Sequence, residues 1–213
     1  NTMQLYTSVG PNPRLVRMFM AERGIEMPLQ EVDIMAGENL GEAFRKLNSS
    51  AQSPCLQLDN GSVVAEVTVI CSYLDEITDG PSLIGATPEE RAETRMWLRR
   101  FDVRILEPMS LAFRSAEALE LFRSRCRVIP QAADDLKATV QDSWAWLEPQ
   151  MAAKQYICGK RFTLADIQLF VFADFGAMIG QVTARGGPRD QRRKLEHAHP
   201  VERAACRPVS HCP

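Results

Sequence analysis

Two prolines bracket an asparagine in Gly10-Pro11-Asn12-Pro13-Arg14, just after a short strand-like run, and that pattern starts a helix. A helix start presents free amides and the positive end of the backbone dipole, so it stabilises an anion there, including the thiolate of a thiol that titrates near 8.5. Asn12 reads either as a contact to such an anion or as a plain N-cap with Pro13 at the first helical position. Ser8, on the loop before it, is a hydroxyl donor or a solvated turn residue; Tyr6 lies within the strand and reads as core packing. A second helix start at Glu66-Val67 offers the same anion chemistry, and Pro54 is placed to open an edge strand. The chain's own sulfurs suggest little chemistry. Six cysteines are scattered, and no Cys-x-x-Cys pair stands at the first helix, which argues against dithiol exchange. His197 and His199 with Cys206 and Cys212 match no common structural zinc spacing, so no metal is expected.

Composition sets the frame. The 213 residues are 45% hydrophobic and 24% charged with a formal charge of -2, which describes an ordinary globular chain without a basic footprint for nucleic acid or an anionic membrane. No apolar run approaches the roughly 20 residues that span a bilayer, and the N-terminus lacks the order of a secretory signal. A cytoplasmic protein with reduced thiols is the expectation.

The elements that must position these residues alternate over the first 80. Met3 to Thr7 reads as a strand, and Leu15, Val16, Phe19 and Met20 mark a helix that stops at Gly24. Leu29 to Val32 is a second strand and Leu40 to Leu47 a short helix. Cys55 to Leu58 and Val63 to Ala65 flank Asn60-Gly61, a strong hairpin signal; Ile70, Tyr73, Leu74 and Ile77 then repeat at helical spacing. The order βαβαββα predicts a mixed sheet with helices on its faces. Residues 81–87 read as a linker between a first domain (1–80) and an all-helical domain (88–180). In the latter, Glu89 to Ser115, kinked at Pro108, Gln131 to Met151 and Leu164 to Ile179 carry long helical patterns. Thr163 and Asp166 form a capping-box pattern. Residues 181–213 lose apolar periodicity and read as an irregular tail.

The chain resembles the cytosolic glutathione transferases. The resemblance rests on Leu5-Tyr6 with Gly10-Pro11-Asn12-Pro13-Arg14 and Val16-Arg17, Leu47-Asn48 with Ser53-Pro54-Cys55-Leu56, Asp59-Asn60-Gly61, Ala65-Glu66 with Ile70 and Tyr73-Leu74, and Phe162-Thr163-Leu164-Ala165-Asp166-Ile167, in family order across residues 3 to 180. It implies a thioredoxin-like domain that holds glutathione, a helical bundle behind it, and a homodimer. It also implies a detoxifying transferase that activates the glutathione thiol as a thiolate, for conjugation to, or reduction of, a small apolar electrophile. By the resemblance, Asn12 and Ser8 are the thiol-site candidates, and the Pro11-Asn12 pair is similar to nu-type members. Ser53 and cis-Pro54 hold the cysteinyl part. Glu66 and Val67 hold the γ-glutamyl carboxylate, and Gln52 and Asn39 are polar contacts. The electrophile site would be lined by the helix containing Met109 and Phe113, although residues at helical spacing are more often core than pocket. The sequence departs from the family pattern at Gly10, where a serine is frequent, and at Val67, where a serine hydroxyl is usual. These departures, with the tail, keep a second reading open: a non-catalytic binding or dimerisation module of the same fold. The Ser-Ser-Cys run of zeta-type isomerases is absent.

Overall fold

The computed structural model describes residues 2–181. They belong to two compact units, the first ending at Ala86 and the second beginning at Thr87. The expected irregular tail, Gln181 apart, lies outside the described residues.

In the first unit β1 (Gln4–Thr7), α1 (Pro11–Glu22), β2 (Leu29–Glu31), a 3-10 turn (Glu38–Leu40), α2 (Glu42–Leu47), β3 (Cys55–Gln57), β4 (Val63–Ala65) and α3 (Val67–Ile77) follow in the predicted order. The sheet runs β2-β1-β3-β4, with β1 parallel to β2 through α1 and the other pairs antiparallel. Alternation along the strands sorts the two faces. Leu5 and Leu56, paired in register and fully buried, belong to one set, while α1 and α3 pack on each other through stripes that bury Leu15, Phe19, Ile70 and Leu74. Each such side chain contributes about 1.5–3 kcal/mol of transfer free energy. On the other set Tyr6 packs with Val32, Phe44 and Cys55. The Asn60-Gly61 hairpin closes by Leu58 N–H to Ser62 O at 2.8 Å, with Gly61 at φ 84°, a backbone state that favours glycine.

Residues 81–86, within the stretch 81–87 read from sequence as a linker, are fastened to the first unit. Asp75, near the end of α3, accepts from Ser82 Oγ at 2.5 Å and Leu83 N at 3.0 Å, and Ile84 is buried. Arg23, the C-cap of α1, meets the same carboxylate at 3.1 Å.

The second unit comprises α4 (Pro88–Phe101), a π-helical segment (Asp102–Leu106), α5 (Glu107–Ser115), α6 (Leu119–Phe122), a 3-10 turn (Pro130–Ala132), α7 (Ala133–Met151) and α8 (Leu164–Met178). Pro108 falls where a proline is expected to disturb a helix, and the disturbance takes the form of the wider π turn immediately before it. Helix α8 is buried on all sides from Leu164 to Ala173, which makes it the core of this unit. Its one buried amide, Gln168, reaches Asp102 of the π segment at 2.8 Å. The Thr163/Asp166 capping box forms as predicted.

Candidate functional site

Strand register brings three element starts to one end of the sheet. Tyr6, Cys55 and Ala65 stand side by side across β1, β3 and β4. The next step along each strand is therefore Thr7, Pro54 and Glu66, so the loop into α1, the residue pair before β3 and the start of α3 converge.

At the first of these, α1 begins two residues earlier than the capping reading expects. Gly10, at φ 117°, is the N-cap and Pro11 the first helical residue, so Asn12 lies inside the first turn and is not a cap. The cause is the residue before Pro11: a proline disfavours helical backbone in its predecessor, which puts the boundary at Gly10. Prolines 11 and 13 carry no N–H, and Arg14 N–H is bonded to Gly10 O at 3.3 Å. Asn12 thus supplies the one free backbone donor among the first three helix residues. Its side chain is half-exposed and makes no hydrogen bond among the described residues.

Ser8 is not a solvated turn residue. It is buried, its hydroxyl donates to Val9 O at 3.3 Å, and its carbonyl accepts from Arg17 Nη1 at 3.2 Å. Arg17 also donates to Thr7 Oγ1 at 2.6 Å, so a single guanidinium braces the whole approach to α1. Tyr6 is structural, with its hydroxyl on Gln57 Oε1 at 3.4 Å and its ring edge-on to Phe44.

At the second start the Ser53-Pro54 peptide is cis. Ser53 makes no backbone hydrogen bond among the described residues, which leaves its N–H and C=O available to an added strand. The loop before it is braced by Asn48, whose Nδ2 donates to Gln52 O at 2.8 Å and whose Oδ1 accepts from Ser50. Asn39 does a similar job: its Nδ2 donates to Ala51 O at 2.7 Å, where Ala51 is held at φ 55°. Asn39 is thereby a loop brace, whereas the Gln52 side chain is exposed and unengaged. Sequence reading missed the bracing role of Asn48, although an Asn followed by Ser at the second position is a recognisable Asx-turn signal.

At the third start Glu66 is the N-cap of α3 with φ 70°, a left-handed state unusual for a non-glycine residue and typical of strained functional turns. No side chain caps α3, so its first amides, beginning with Val67 and Thr68, face outward without a partner in the helix.

The buried thiols among the described residues are quiet. Burial pushes the Cys55 thiol up to about 11 and raises those of Cys71 and Cys158 as well, the last partly offset by hydrogen bonds from Thr163 and Thr94. Met109 is fully buried in the core of the second unit, the commoner fate of an apolar residue at helical spacing; Phe113 is half-buried and packs edge-on against Phe122 and Phe175.

Comparison with known proteins identifies the family. Residues 9–77 match the profile of the glutathione S-transferase N-terminal domain and residues 109–196 that of the C-terminal domain. A crystal structure of a glutathione S-transferase domain-containing protein from Marinobacter aquaeolei VT8 superposes with TM-score 0.85 at 30% identity, over 93% of this chain and 98% of that one. The chain belongs to the glutathione S-transferase family. Glutathione S-transferase 2 of Saccharomyces cerevisiae is 28% identical over 180 residues, which are 81% of this chain and 75% of the relative. The crystal structure of Gtt2 from the same organism shares the fold, with TM-score 0.86 at 22% identity over 95% of this chain and 99% of that one. The protein is accordingly a glutathione transferase with glutathione as co-substrate, and the reading of a non-catalytic module is set aside. Among the described residues no helix is long and apolar enough to cross a membrane.

We propose that the free amides of α3 receive a carboxylate of that co-substrate. A serine hydroxyl at position 67 would add a hydrogen bond to a carboxylate, contributing roughly 1.5 to 3 kcal/mol. Because α3 begins at Val67, Thr68 is turned about 100° from that position and does not replace it. Val67→Ser should tighten glutathione binding about ten- to a hundredfold with little change in turnover at saturation. Equal affinities of the two forms in titration calorimetry would refute this assignment.

Proposed function

We propose that glutathione lies along the row formed by the start of α1, Ser53-Pro54 and the start of α3. The γ-glutamyl carboxylate rests on the Val67 and Thr68 amides beside Glu66, the cysteinyl backbone on Ser53, and the glycyl end near Gln52. The thiol sits at the first turn of α1, where the dipole and the Asn12 amides favour the thiolate over the thiol. That thiolate attacks a small apolar electrophile, in conjugation or in reduction. The observation that carries the reading is the convergence of three helix and strand starts with unengaged donors at one sheet end, Asn12 foremost.

The test is Asn12→Ala. It should lower kcat/KM for a generic aryl halide at least tenfold, about 1.4 kcal/mol in the barrier, and raise the pH at which the bound thiol's ultraviolet thiolate band appears. Its melting temperature should hardly move, because Asn12 neither caps α1 nor bonds to a neighbour. Ser8→Ala should stay within about threefold of wild type in turnover. Unchanged thiolate titration and turnover in the Asn12 variant would exclude its role.

We also propose a homodimer. On α3, Val69 and Ile77 are exposed to 51% and 48% with half-exposed Tyr73 midway, and in the second unit Met96 and Val103 are exposed to 42% and 43% one heptad apart. Apolar stripes of this kind call for cover, and a two-fold interface supplies it with one surface used twice. Light scattering at micromolar protein should give twice the chain mass. A monomer would end the proposal.

A further inference from the structure

The second unit carries a group of cations laid over aromatic rings that glutathione chemistry does not use. Arg104 Cζ stands 4.3 Å from the Trp146 ring centroid, Arg100 Cζ 5.0 Å from that of Trp97, and Lys154 Nζ 5.1 Å from Trp97 as well. The two indoles are 6.0 Å apart and inclined by 43°, so the five side chains make one patch drawn from α4, the π segment, α7 and the loop after it. Trp97 is buried beneath, Arg100 and Lys154 are half-buried and Arg104 is exposed.

Some cations of this unit are paired with carboxylates: Arg161 with Glu93 at 2.7 Å and Lys137 with Glu117 at 2.5 Å. Neither Arg100, Arg104 nor Lys154 has a carboxylate partner among the described residues, and the exposed acids nearest in sequence, Glu107, Asp142 and Glu148, reach none of them. In a chain of net charge -2 this is a local excess of positive charge.

A guanidinium laid over an indole uses its face and keeps the N–H edge for an oxyanion, in the fork geometry that suits phosphate. Packing on the ring also fixes the side chain beforehand, which reduces the ordering cost of binding. Lys154 donates to Ile157 O at 3.3 Å and retains further donors. Three neighbouring cations repel one another, and a single carboxylate would neutralise only one. We propose that Arg100 and Arg104, with Lys154 as third charge, bind a small polyphosphate anion such as a di- or triphosphate group. Free polyphosphate compounds and the phosphates of a nucleic-acid strand share this chemistry, and the negative net charge favours the free compound.

The test is titration of the full chain with inorganic triphosphate, followed by calorimetry and tryptophan emission at low salt and at about 0.15 M salt. One molecule should bind per chain, perturb the emission and weaken with salt. The double variant Arg100→Gln/Arg104→Gln should bind at least tenfold more weakly, while Arg99→Gln, an exposed neighbour that lies over no ring, changes less than twofold. Melting temperature and glutathione turnover report whether the double variant is folded. If it is not, Arg100→Lys/Arg104→Lys keeps the charge without the forks and should still lose severalfold affinity. No triphosphate binding by wild type at millimolar concentration, or equal binding by the folded double variant, would overturn the proposal. So would binding of a single-stranded oligonucleotide in the absence of triphosphate binding. Because glutathione turnover is read separately, failure here leaves the assignment of the glutathione site untouched.

Discussion

Arg23→Ala should destabilise the protein by about 3–5 kcal/mol, the loss expected when one partner of a buried ion pair is removed. The Arg23 and Asp75 side chains are only 4% and 6% exposed. The guanidinium also donates to Thr78 O at 2.8 Å and Pro81 O at 2.5 Å, so truncation leaves a buried carboxylate without its cation and two carbonyls without donors. Gly80, at φ 107°, permits the approach: a Cβ there would stand 3.4 Å from Arg23 Nη1. With about 2–4 °C of melting temperature per kcal/mol in a chain of this size, a fall of roughly 6–20 °C should be seen. Arg23→Lys keeps charge but loses the fork and should lie between. The double replacement Arg23→Met/Asp75→Leu should be milder than either partner's loss alone, since no buried charge remains. A melting temperature for Arg23→Ala within about 2 °C of wild type would refute the assignment.

A second large effect is expected at Asp166, and it depends on pH. Its Oδ1 accepts from Ile157 N at 2.8 Å, and its Oδ2 from Thr163 N at 2.9 Å and Thr163 Oγ1 at 3.2 Å. Asp166→Ala strands these donors in the core and should cost about 2–4 kcal/mol at neutral pH. Burial outweighs the hydrogen bonds and raises the carboxyl pKa from 3.8 to about 6. An acid whose pKa is raised on folding binds its proton more tightly in the native state. Its contribution to stability therefore grows as pH falls from about 6 to about 4, and is lost as pH rises through that window. Protonated Oδ2 can donate to Thr163 Oγ1, whose own hydrogen then turns to Cys158 Sγ at 3.8 Å. Relative to Asp166→Asn, which does not titrate, the wild type should gain on the order of 2–3 kcal/mol between pH 7 and pH 4. Urea denaturation of both proteins across that range checks it, and a pH-independent difference would contradict the assignment.

The capping box and the Asn60-Gly61 hairpin were legible in the sequence because each is a local rule: the residues that decide the geometry are neighbours in the chain. The cis bond at Pro54 was legible only through the family pattern, since Ser-Pro alone permits either isomer. Gly10-Pro11-Asn12-Pro13 misled because two prolines compete for the first helical position. The competition is decided by backbone sterics at Gly10, and it changes Asn12 from a cap into an unengaged amide. Other parts were not legible because partners lie far apart in sequence. Asp75 is 52 residues from Arg23, and Gln168 is 66 from Asp102. The burial of Ser8 follows from Arg17, nine residues on, a spacing that no periodic pattern marks.

The thiols that burial keeps protonated also bear on how long the protein survives its own reaction. A protein that gathers electrophiles is the first nucleophile they meet, and a reactive cysteine beside the site would be alkylated within a few cycles. Cys55 follows the cis bond directly, yet with a pKa of about 11 only about one molecule in ten thousand holds it as thiolate at pH 7. Cys126, exposed on the second unit, is the one described cysteine within reach of reagents. Adducts on Cys126 should therefore accumulate with exposure to electrophile while Cys55 stays unmodified, so the chain acquires a mark of its chemical history at a place remote in sequence from the thiol site.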